Sequence, residues 1–124
     1  MELDDFISYK IALKLKSIGF NEWCDYIYCK WLSNDMEVQL LPRNEKTEQY
    51  MCVNAPTLWQ VQKWLREEKK LIILIGMTCI NDWFYGIYNE YGKIIKDDCI
   101  QRNSYETALS SAIEFALNLI ECKN

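Results

Sequence analysis

The groups in this chain that could do chemistry are six cysteines, Cys24, Cys29, Cys52, Cys79, Cys99 and Cys122, two adjacent acid pairs, Asp4-Asp5 and Asp97-Asp98, and a large supply of aromatic rings. A reactive cysteine needs its thiolate favoured by a cation, a helix N-terminus or a base. Cys29, followed by Lys30, and Cys52, just ahead of a predicted helix, come nearest to that. No imidazole can serve as their base, because the 124 residues include no histidine. The same absence removes the usual ligand of zinc sites and the base of most hydrolase triads. The cysteines show one C-x4-C spacing, then long gaps and no C-x-x-C pair, which is not the pattern of a structural metal site. Asp97-Asp98 could attract a hard cation, but neighbours along a strand point to opposite faces and do not converge. Both acid pairs read as solvated turns. No glycine-rich phosphate loop, Walker pattern or nucleophile elbow occurs. The expectation is a non-enzymatic protein with no catalytic residue, metal or cofactor.

These residues must be held by one core. At 14.8 kDa the chain should bury about two-thirds of its unfolded surface. Half of its residues are apolar, and only six are Gly or Pro, so short loops are expected. The net charge of −4 and a pI near 4.9 argue against a nucleic-acid partner, which usually meets a basic face. The opening MELDDFISYK lacks the basic-then-apolar layout of a signal peptide, and the run LIILIGMTCI at 71–80 is about half of a bilayer span. Together they predict a cytoplasmic protein without a membrane segment, its thiols reduced and mostly buried.

The periodicities assign the elements. Ile11, Ala12, Leu15 and Ile18 form one helical stripe, with Ser8 as N-cap and Gly19 as the stop. Trp23 to Leu32 is β-prone, Ser33-Asn34-Asp35 supplies a turn into MEVQLL, and the pair reads as a hairpin. Pro42 to Lys46 reads as a polar loop and Gln49 to Val53 as a further strand. Thr57 and Gln60 form a capping-box pattern for a second helix burying Leu58, Val61, Trp64 and Leu65. The 71–80 run reads as a strand buried on both faces, followed by Trp83 to Tyr88, a turn at Asn89 to Gly92, and KIIK. Tyr105, Ala108, Leu109, Ala112, Ile113, Ala116 and Ile120 share one face of a last helix capped by Ser104. The expected fold is a single α+β domain over residues 1–124, antiparallel hairpins packed against three helices in the order α-β-β-β-α-β-β-β-α. Ser8-x-x-Ile11-Ala12 set against Thr57-x-x-Gln60-Val61 leaves a degenerate duplication of the two halves open.

Three stretches carry a family resemblance: Ser8 to Lys16 closing on Gly19-Phe20-Asn21, Ala55-Pro56-Thr57 leading to Trp64-Leu65-Arg66-Glu67, and Ser104-Tyr105-Glu106-x-Ala108-Leu109. The chain resembles small uncharacterised proteins of Bacteroides phages and mobile elements. The likeness lies mainly in helices; the last stretch has Thr107 where the group commonly carries a second acid. It brings no catalytic residues and implies only a setting, the host cell cytoplasm for a phage-encoded chain.

The aromatics are the best functional candidates. Five tryptophans and eight tyrosines are present, and both types are enriched where proteins meet partners. Alternation puts Trp23, Asp25, Ile27, Cys29 and Trp31 on one strand face and Cys24, Tyr26, Tyr28 and Lys30 on the other. Tyr26, Tyr28 and Lys30 are the predicted outward, partner-binding set. The leading expectation is an interaction module that binds a host or phage protein. The alternative is an inhibitor of an anti-phage defence system, acting on a defence protein or sequestering a small nucleotide signal. Self-association stays open.

Overall fold

The computed structural model describes residues 5–31, 38–44, 50–77, 82–100 and 104–122. Its elements are α1 (Tyr9–Ser17), β1 (Tyr26–Trp31), β2 (Gln39–Pro42), β3 (Tyr50–Asn54), α2 (Leu58–Glu68), β4 (Ile72–Met77), β5 (Trp83–Tyr88), β6 (Ile94–Ile100) and α3 (Tyr105–Cys122). This is the expected α+β class in the expected order. The turn at Ser33-Asn34-Asp35, Glu45-Lys46, Cys79 and the side chain of Trp31 lie outside the described residues.

Two compact units emerge, Phe6–Thr57 and one made mainly of Leu58–Asn124. Each holds a three-stranded antiparallel sheet, β2-β1-β3 in the first and β4-β5-β6 in the second. The first strand is central in one sheet and the second strand in the other. The halves therefore share an element order without sharing a topology.

In the first unit α1 begins as its sequence dictates, with the Ser8 Oγ accepting from the Ile11 N–H at 3.2 Å. It ends on a Schellman turn at Gly19, whose φ of 99° lets the Phe20 N–H reach the Leu15 carbonyl at 3.0 Å. Ile11, Ala12 and Leu15 are buried. The segment ahead of the helix is tied down as well. Phe6 pairs antiparallel with Thr57, and the Ile7 N–H donates to the Pro56 carbonyl at 3.2 Å.

In the second unit α2 buries the predicted Leu58, Val61, Trp64 and Leu65. Its chain reverses at Lys70, where φ is 58° and the Leu71 N–H returns to the Leu65 carbonyl at 3.0 Å. A side chain in this left-handed region costs about 1–2 kcal/mol, of which glycine's greater unfolded freedom cancels a part. Lys70→Gly should therefore raise stability by about 0.5–1 kcal/mol, read as an upward shift in the denaturant midpoint at constant slope.

Helix α3 buries Ala108, Leu109, Ala112, Ile113, Ala116 and Leu117 and packs on β4 and β5. The sheet face beneath it carries Ile73, Tyr85 and Ile87, all buried. Two contacts fix the helix on that face: Trp83 meets Tyr105 edge-on at 5.7 Å, and Lys96 Nζ lies 5.2 Å from the Phe115 ring centre. Within the 71–80 run, β4 (Ile72–Met77) is not buried on both faces as expected, and residues 78–80 lie outside the described residues. β4 is an edge strand, and Leu74 on its other face is 55% exposed. An uncharged apolar run specifies a strand, but within this unit α3 packs on one face of the sheet and Leu74 lies on the other. Asp97 and Asp98 lie within β6 rather than in a turn, opposite Gly86 and Tyr85 respectively, and both are exposed. Among the described residues no helix is long and apolar enough to cross a membrane.

Candidate functional site

Alternation does place Tyr26, Tyr28 and Lys30 on one face of β1, but that face is not open. Tyr28 is only 9% exposed, and its hydroxyl donates to the Ile7 carbonyl at 2.6 Å. The Tyr9 ring stands edge-on to it at 5.7 Å. Tyr26 is half-buried with the Phe6 ring at 5.1 Å, and Lys30 is half-buried too. The outward-set expectation fails because the 6–9 segment lies across these tyrosines. Ile27 and Cys29, on the opposite face, are buried as expected, so the central strand is covered from both sides. The strand begins at Tyr26, and the alternation does not extend back to Trp23 and Asp25, which are exposed.

Beside β1 and β3 is a recess of about 470 Å³ whose walls include Lys16, Phe20, Arg43, Cys52 and Asn54. Among its described lining residues none is acidic, in a chain of net charge −4. Arg43 is fixed from several directions. Its Nε donates to the Cys24 carbonyl at 3.0 Å, another guanidinium nitrogen bonds the Asn54 side-chain oxygen, and its Cζ lies 4.8 Å from the Trp23 ring centre. A guanidinium already ordered by the fold loses little freedom when an anion arrives.

Cys29 and Cys52 are directly opposed on β1 and β3, with their sulfurs 3.0 Å apart. Burial, the hydrogen bond with Cys52 and the charge of a Cys52 thiolate push the Cys29 thiol up to about 12, against a smaller opposing pull from Arg43. Cys29 is thus a protonated, buried thiol at neutral pH, whereas Cys52 is half-buried and lines the recess. Cys24 is buried and Cys122 exposed.

The second exposed feature is the sheet face turned away from α3. Leu74 has Gly86 as its cross-strand partner, and the Tyr88 ring lies over that glycine. Phe84, 40% exposed, lies over its partner Gly76, where an added Cβ would collide with the ring. Half-buried Ile72 and Tyr88 extend the same face. Sequence reasoning missed Leu74 and Phe84. It read Arg43 only as part of a polar loop, which the structure bears out, and gave it no binding role. Absence of charge along 71–80 was a usable signal, though it could not say which face stays open.

No protein-family model, curated protein or solved structure matches the chain.

Proposed function

We propose that this chain is a non-catalytic binding protein that engages a protein partner through the outward face of β4 and β5, with Leu74 and Phe84 as anchors. The observation that carries the reading is a leucine and a phenylalanine, 55% and 40% exposed, that are diagonal cross-strand neighbours on the sheet face turned away from α3. Exposed apolar groups that adjoin one another mark interaction surfaces more often than scattered ones do. The likeness of its helical stretches to proteins of Bacteroides phages and mobile elements supports a host or phage protein as the partner, a defence component included. The recess with Lys16 and Arg43, whose described lining residues include no acid, favours a second reading, sequestration of a small nucleotide, which a thermal-shift screen against nucleotides would test.

The partner reading is tested with Leu74→Lys and Phe84→Ser, each first checked by melting. Both side chains are substantially exposed, so stability should change by no more than about 1 kcal/mol. Affinity capture from bacterial lysate then compares them with the parent and with Lys63→Ala, a change on the exposed side of α2. A lost anchor should weaken capture of the same protein by about thirtyfold, while Lys63→Ala should leave it unchanged. Equal capture by all four proteins would refute the assignment.

A further inference from the structure

Cys29 and Cys52 occupy directly opposed positions of neighbouring antiparallel strands. Such partners have Cα atoms about 4.5–5.5 Å apart, inside the range of about 4.4–6.8 Å that a disulfide spans. Their sulfurs, 3.0 Å apart, need to close by only about 1 Å to reach bonding distance. The two thiols also differ in access. Cys29 is 1% exposed, whereas Cys52 forms part of the wall of a recess that carries Lys16 and Arg43 and, among its described lining residues, no acid. A reagent entering this recess meets Cys52 in its wall, with Lys16 and Arg43 among the neighbouring lining residues.

We propose that Cys29 and Cys52 are a reversible oxidation site whose oxidant is a small anionic disulfide of the oxidised-glutathione class, a molecule with more carboxylates than ammonium groups. The Cys52 thiolate attacks one sulfur of the incoming disulfide. That S–S bond breaks, one half leaves as a thiolate, and the other stays on Cys52 as a mixed disulfide. Cys29 then gives its proton to water and attacks the Cys52 Sγ. The cross-strand S–S bond forms, and the second half leaves as a thiolate. The protein loses two protons and two electrons, and the incoming disulfide is reduced to two thiols. Excess reduced thiol runs the steps backwards.

The test is to incubate the reduced protein with oxidised glutathione, unfold it in denaturant while alkylating the remaining thiols, and measure intact and peptide masses. The parent should lose two hydrogens with no lasting adduct, and only Cys29 and Cys52 should escape alkylation. Cys29→Ser should trap a stable glutathione adduct on Cys52, and Cys29→Ala provides the same readout with a small apolar side chain if serine is not tolerated. Cys52→Ser should leave Cys29 reduced. Lys16→Ala should slow the reaction several-fold with oxidised glutathione but not with the uncharged 2-hydroxyethyl disulfide. The oxidised parent should melt several degrees higher until a reductant is added, because the bond closes the chain between the two strands in the unfolded state. A persistent adduct on the parent without the internal link, a link through Cys24 or Cys122, or no reaction at either cysteine would overturn the proposal.

Discussion

Replacing Tyr28 by alanine should cost about 3–5 kcal/mol, as removal of a large buried ring usually does. The ring is enclosed by Tyr9, and its hydroxyl satisfies the Ile7 carbonyl, so the substitution leaves both a cavity and an unpaired acceptor. Tyr28→Phe isolates the second part and should cost about 1–2 kcal/mol. Tyr26→Ala, at a half-buried ring, should fall well below Tyr28→Ala. Denaturant titrations of the three variants decide it, and a Tyr28→Ala protein as stable as its parent would show that this face is not core. The phenol adds a pH signature. Burial raises its pKa above the ordinary 10.0, so folding favours the neutral form. That contribution is complete below pH 10 and is lost as pH climbs through the raised value. The stability gap between the parent and Tyr28→Phe should narrow in that window.

The second large effect is expected in α3. Ala108, Ala112 and Ala116 are all fully buried, and their small side chains let the helix lie close to its neighbours. Ala112→Leu forces additional carbons into a filled interface and should cost about 1–3 kcal/mol. Ser111→Leu, one position round the helix and half-buried, should cost less than about 1 kcal/mol. Equal losses would show that the helix presents a different face to the sheet.

Helical faces were legible because a 3.6-residue period is written in adjacent turns. Ile11, Ala12 and Leu15, the α2 quartet, and Ala108 to Ala116 were all read correctly, while Leu117 was overlooked. The tyrosine face of β1 was not legible for a physical reason. Its cover comes from Phe6 and Ile7, whose position is set by pairing to Pro56 and Thr57, some fifty residues away. Leu74 illustrates the converse. A strand of unbroken apolar character records no difference between its covered and uncovered sides. The recess and the thiol pair depend on the register of β1 with β3 and on Arg43 folding back to Cys24, which are non-local facts that residue spacing does not encode.

The place of β1 in its sheet bears on how the chain is made. A ribosome releases β1 first, and β2 can zip onto one side of it as soon as it emerges. The other side has to wait for Tyr50–Asn54, a delay of a few seconds at about 5–20 residues per second. In the second sheet each arriving strand pairs with the one delivered just before it, so β4 and β5 never wait for a distant partner. The nascent first unit is therefore the one that spends time half-assembled, with the β3-side edge of β1 unsatisfied and Cys29 uncovered, and this is the interval in which a chaperone or a stray strand would find it.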